Sequence, residues 1–243
     1  MKRSQAQHHA SRKTNLRRDA QKSVKRARDE KVEAVAEEVE EVAAELHGMS
    51  GCEARWVMCT GQPGCGKTTL VRAMAEEAAS RNLAVRGFYT EEVLGGPGGS
   101  RTGFDVVTIP GGQRGVLSRK EGLPSSYPRT GAYHVDVASF EALALPTLEG
   151  PTDGIDYLIL DEVGRMELHS ERFEVAVRKL LAEGATGTRL IGALTAPIYG
   201  HRVAFVDEIA EQPHVLVHRL TQKTRDEASK RMRHAIFGEK DGT

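Results

Sequence analysis

The 243-residue chain has little of what marks membrane-embedded, secreted or fibrous proteins. No apolar run approaches the roughly 18 residues that span a bilayer, so no single apolar segment reads as a membrane helix. No apolar stretch follows Met1, and a secretory signal is not expected. Cysteine is scarce. Cys52, Cys59 and Cys65 are too few for a disulfide framework and have no second pair at metal-ligand spacing. An odd, low count fits a reducing compartment, so the expectation is cytoplasmic or nuclear. Net charge is absent too. The 34 basic and 34 acidic side chains cancel, and whole-chain charge therefore selects no partner.

The cancellation is a sum of opposite blocks. Residues 1–31 hold eleven Lys/Arg against three Asp/Glu, whereas residues 32–47 hold six Glu and no Lys or Arg. The basic block reads as a solvated tail or a targeting signal, with a nucleic-acid arm as the functional alternative. No Phe, Tyr or Trp lies among its first 30 residues to stack on bases, which favours the tail. A mitochondrial presequence would need an apolar face, and residues 1–18 offer little beyond Leu16. Residues 32–46 then place Val32, Val35, Ala36, Val39, Val42, Ala43 and Leu46 at helical spacing, with Glu on the other face. Two heptads are too few for a coiled coil, so a helix packed on its own domain is the simpler reading. Residues 1–50 are thus expected to be an N-terminal extension, basic then acidic, partly disordered and carrying one amphipathic helix.

From Arg55 the pattern changes. Strand-like and helix-like segments alternate: strand Trp56–Thr60, helix from Gly66 to about Ser80, and strand Ala84–Thr90. A Gly-rich hairpin through Gly95–Gly99 leads into Gly103–Ile109, and a looser stretch spans 110–132. Strand His134–Val137, helix 139–149, strand Tyr157–Asp161 and helix 171–183 come next. Strand Leu190–Thr195, helix 203–211, strand Val215–Arg219 and a last helix over Thr224–Ala235 complete the series. Such alternation predicts one α/β domain over 54–238, a mostly parallel sheet with helices on both faces.

One segment carries chemistry by itself. Gly61-Gln62-Pro63-Gly64-Cys65-Gly66-Lys67-Thr68, followed by Thr69, matches the G-x-x-x-x-G-K-[ST] phosphate loop. It follows an apolar strand and opens an Ala/Leu/Glu-rich helix, which is the context the motif needs. The glycines let the backbone wrap so that N–H groups point at phosphate oxygens, and the helix N-terminus adds partial positive charge. Lys67 reaches the β/γ-phosphates, and the Thr68 hydroxyl is offered to Mg²⁺. Cys65 reads as a small filler residue; as a thiol near a helix N-terminus it is also a candidate for oxidation.

A partner for the loop lies in Tyr157-Leu-Ile-Leu-Asp161-Glu162. Asp161 would end a buried strand near the Mg²⁺ shell, and Glu162 would orient or deprotonate the attacking water. That pair argues for hydrolysis over transfer to a second acceptor. Cationic help on the γ-phosphate would come from Arg101, Arg114, Arg119 or Arg165. The Thr221–Asp226 stretch does not match an Asn/Thr-Lys-x-Asp guanine reader, so weak base discrimination is expected.

Several stretches together resemble the cancer-related nucleoside-triphosphatase family. They are Gly61–Leu70, Gly87–Val93, Arg101–Val107 and Leu160–Leu168, supported by Arg114–Arg119, Ser139–Pro146 and Val206–Ile209. The similarity covers about residues 54–235 in the family's order and leaves residues 1–50 outside. It implies a RecA-like P-loop fold and slow Mg²⁺-dependent hydrolysis of ATP, GTP and other triphosphates to diphosphate and phosphate, with loose base selectivity. By matching position, Lys67 and Thr68 are phosphate and Mg²⁺ ligands, Asp161 and Glu162 are the acidic pair, and Arg101 is the best arginine, with Arg114 next. Arg165 stands where a Lys is usual, which keeps the charge and changes its geometry. The alternatives are a nucleotide or small-molecule kinase, against which no Arg-rich lid is found, and a nucleotide-dependent RNA-associated switch using the basic arm. The chain is expected to act as a monomer, with no membrane partner.

Overall fold

The computed structural model describes residues 54–95, 97–184, 186–197 and 201–238. The basic arm and the amphipathic helix expected in residues 1–50 lie outside them. Within the described residues, strands β1 (Trp56–Gly61), β2 (Val85–Leu94), β3 (Arg101–Ile109), β4 (Arg114–Arg119), β5 (Arg129–Thr130), β6 (Tyr133–Val135), β7 (Tyr157–Val163), β8 (Arg189–Thr195) and β9 (Val215–Arg219) form one sheet. Their order is β5-β6-β4-β3-β2-β7-β8-β1-β9. Helices α1 (Lys67–Ser80), α2 (Val137–Glu149), α3 (Glu171–Glu183), α4 (Ala204–Ala210) and α5 (Arg225–Phe237) connect them.

The expected parallel sheet is present as its core: β2, β7, β8, β1 and β9 run parallel. The remaining strands form an antiparallel wing on the β2 edge. Two of them, β4 and β5, fall inside the stretch 110–132 that the sequence presents as loose. In β4 the buried residues are Leu117 and Ser118, one apolar and one hydroxyl, so the strand carries no alternating apolar signature. β2 also runs on to Leu94, past the expected end at Thr90, because Glu91 and Glu92 keep pairing with Asp105 and Phe104 across the hairpin.

Strand β7 shows why the sheet is two-sided. Tyr157 to Leu160 are all buried, and alternate residues enter opposite cores. Leu158 and Leu160 join a cluster with α2 and α3, where Phe88, Phe140 and Phe173 meet edge to face at centroid distances of 5.2–5.9 Å. Tyr157 and Ile159 join the other, with Val71 and Met74 of α1 and Met232 of α5. Caps set the helix starts. The Asp136 carboxylate accepts from Ser139 N at 3.0 Å and the Ser170 hydroxyl from Phe173 N at 3.0 Å. No helix among the described residues is long and apolar enough to cross a membrane.

Candidate active site

The loop between β1 and α1 is shaped by its neighbours as well as its glycines. Gly66, the cap of α1, has φ 104°, a left-handed conformation that favours glycine. At Gly61 a side chain would collide with the Leu220 carbonyl, 2.4 Å from where its Cβ would lie. Leu220 N in turn donates to Thr60 O at 2.7 Å, which fastens the segment after β9 to the end of β1, just before the loop. On the other side Gln62 Nε2 donates to Pro197 O at 3.1 Å. Gln62, Pro63, Gly64 and Thr69 are exposed, Gly66 and Thr68 half-buried, and Cys65 packs into the core under the loop. That burial is the filler role expected for Cys65.

Lys67 is buried and held twice. Its Nζ donates to Gly61 O at 3.0 Å and lies 3.2 Å from Glu162 Oε2. Burial opposes its charge, but the Glu162 carboxylate outweighs this and the ammonium is held above its ordinary pKa.

Asp161 and Glu162 arrive together through a bulge. Pairing with β8 jumps from Leu160–Gly192 to Val163–Leu194, so both residues stand opposite Ala193. Such an extra residue re-aims side chains at the end of a strand. The peptide bond between the two is cis. Asp161 is completely buried, and neither carboxylate oxygen has a hydrogen-bond partner among the described residues. Burial, and then the Glu162 charge, push its pKa up to about 7 against the pull of the nearby Thr68 hydroxyl, Lys67 and the Thr90 amide. A buried, unpaired carboxylate is expensive unless something compensates it.

A third acid, to which the sequence assigns no role, completes the cluster. Glu167 is buried in a short turn over Glu167–His169. Its pKa is held well above the carboxylate range, by burial first and then by the Glu162 charge. Gly164 separates the two: a Cβ there would lie 2.7 Å from Glu162 Oε1 and 2.8 Å from Glu167 Oε2. The available signal was the acid six residues after Asp161, but nothing in the spacing brings it back to the strand end.

The structure therefore gathers Lys67, Thr68, Asp161 and Glu162, and engages the four candidate arginines with other partners. Arg101 pairs with Glu92, donates from Nε to the Tyr133 hydroxyl oxygen at 3.1 Å, and lies 4.8 Å over the Phe104 ring. It stands opposite Leu94 on β2, whereas Asp161 stands opposite Tyr89. Five residues of strand are roughly 16 Å. Arg114 bridges Glu91 and Asp105, and Arg119 also binds Asp105. Arg165 donates to His201 O, while its own carbonyl accepts from the Thr130 hydroxyl at 3.3 Å.

A phosphate loop between a central parallel strand and its helix, with an acid ending the strand two places away, defines a P-loop nucleoside-triphosphatase. The sequence profile of the NTPase family matches residues 56–232. The chain is 44% identical over 182 residues to the cancer-related nucleoside-triphosphatase of Homo sapiens, covering 71% of this chain and 92% of that one. It is 33% identical over 180 residues to nucleoside-triphosphatase THEP1 of Thermotoga petrophila, covering 74% and 92%. The solution structure of a human cancer-related nucleoside triphosphatase superposes with a TM-score of 0.63 at 40% identity, over 77% of this chain and all of that one. The chain belongs to this NTPase family, and it is a nucleoside-triphosphatase.

Proposed function

We propose that the chain hydrolyses ATP, GTP and other nucleoside triphosphates to diphosphate and phosphate, in a Mg²⁺-dependent reaction with little base selectivity. The observation that carries the reading is Asp161, a fully buried carboxylate with both oxygens unpartnered beside the Thr68 hydroxyl. Such a donor set fits Mg²⁺, which takes oxygen ligands and commonly uses one or two protein groups with substrate phosphates. Thr68 and Asp161 would hold the ion; when bound, it supplies positive charge against the β/γ-phosphate oxygens.

The protein's own groups do the rest. The free backbone N–H groups of Gly64 and Gly66–Thr69 cradle the phosphates, Pro63 having none and Cys65 N donating to Gln62 O, and the first N–H groups of α1 have no intrahelical acceptor to compete for them. Lys67 Nζ turns from Glu162 toward the γ-phosphate. Glu162 orients a water and takes its proton as the water oxygen bonds to the γ-phosphorus and the bridging oxygen leaves with the diphosphate. Arg101, the arginine selected by the family resemblance, serves the transferring phosphoryl group only after leaving Glu92.

The test is phosphate release from ATP, GTP, CTP and UTP, with and without Mg²⁺. Release from all four that depends on Mg²⁺ supports the reading. Release from one base alone would defeat the selectivity claim, and ADP formed only with an added acceptor would make the protein a kinase.

A further inference from the structure

We propose that the Arg225 guanidinium is the plate on which the nucleobase lies, so that the site reads a π-face and no base edge. The inference rests on the triphosphatase reading and adds where the nucleoside goes and why its identity matters little.

The sheet gives the direction. Glu162 lies at the C-terminal end of β7, one residue before Val163, two strands to one side of β1, and β9 is the neighbour of β1 on the other side. A triphosphate whose γ-phosphate meets Lys67 and Glu162, and whose chain crosses the loop after β1, carries its nucleoside toward β9. There the segment Leu220–Arg225 waits, fastened to the end of β1 by the Leu220 N to Thr60 O bond. Within it Thr221 and Thr224 clasp each other. Thr221 N donates to Thr224 Oγ1 at 3.2 Å, Thr224 N to Thr221 Oγ1 at 3.1 Å, and the hydroxyls are 2.9 Å apart. The threonine side chains are thereby spent on their own turn.

Arg225 follows the clasp and opens α5. It leans over the phosphate loop: a methyl on Gly66 would lie 3.2 Å from Arg225 Cδ and 4.0 Å from its Nη1. Its side chain is 58% exposed, and its pairing with Asp226 is long, 3.9 Å, to a carboxylate that is itself in water. A planar guanidinium with an accessible face, held by its stem above the loop, stacks on any base. Hydrogen-bond readout of base edges plays no part in such a contact.

The experiment measures equilibrium binding to the full chain of non-hydrolysable ATP and CTP analogues and of inorganic tripolyphosphate, which has no base. Arg225→Ala should weaken the ATP analogue by roughly three- to thirtyfold, the CTP analogue by less, and tripolyphosphate by no more than about twofold. Arg225→Lys, which keeps charge without the plane, should recover only part of the loss. An equal loss for tripolyphosphate would make Arg225 a phosphate ligand and overturn the proposal, as would no loss for any nucleotide. If the parent chain binds tripolyphosphate but no nucleotide better, the base plate falls while the phosphate site stands. If the parent binds none of the three, the triphosphatase reading falls with it.

Discussion

Lys67 Nζ lies 3.2 Å from Glu162 Oε2, so the cation that we propose binds phosphate is paired with the carboxylate that we propose activates water. The Glu162 carboxylate holds the Lys67 charge against its burial. On that proposal a triphosphate with more negative charge would compete for the ammonium and free the carboxylate, which would link binding and activation through one contact.

Glu162→Gln separates the two roles. The amide keeps the shape but accepts no proton. Turnover should fall by roughly a hundredfold or more, while nucleotide affinity holds or rises because Lys67 loses its competitor. Phosphate release beside equilibrium binding checks this. A variant turning over at the parent rate would remove Glu162 from its assigned role.

Arg101 is engaged with Glu92 and Tyr133 and stands far along the wing from Asp161. If it moves to the γ-phosphate in the transition state, Arg101→Ala should lower kcat by about tenfold or more with little change in KM. Glu92→Gln weakens its tether and should raise kcat. Parent-like kinetics in Arg101→Ala would leave the phosphoryl group without help from this residue.

Much of this was legible in the residues. The phosphate loop and the apolar strand ending in Asp161 are local patterns, and the βα alternation that puts them in one sheet is written in periodicity. What escaped is set by pairing between distant segments. β4 is a strand because β3 and β6 bond to it, not because its side chains alternate. Glu167 meets Glu162 across Gly164 because a short turn follows the β7 bulge. Arg225 reaches Gly66 only because β9 lies beside β1.

Gly164 tests the carboxylate cluster directly. A Cβ at this position would press on Glu162 Oε1 and Glu167 Oε2 together, at 2.7 and 2.8 Å. Gly164→Ala should destabilise by about 1–3 kcal/mol, as overpacking does, and should reduce kcat by more than it reduces nucleotide affinity. Thermal unfolding with parallel kinetics reads both. Unchanged kcat in a folded variant would mean that the placement of these acids is not needed for turnover.

His218 supplies a pH dependence away from the site. It is buried on β9, and its Nε2 has no partner among the described residues. Burial first, and then the Arg231 charge, hold its pKa down at about 4. In the unfolded chain the imidazole titrates near 6.5. Between those values the unfolded state takes up a proton that the folded state refuses. The stability is therefore intact above about pH 6.5 and declines as pH falls toward 4, by up to roughly 3 kcal/mol from this group. His214, also lowered by burial, acts with the same sign. His218→Phe, similar in shape and never charged, should flatten the acid side of a stability curve from urea unfolding between pH 8 and pH 4.5. It should not abolish the slope, because His214 remains. Curves that stay parallel across that range would show that His218 takes up its proton as easily in the folded state as in the unfolded chain.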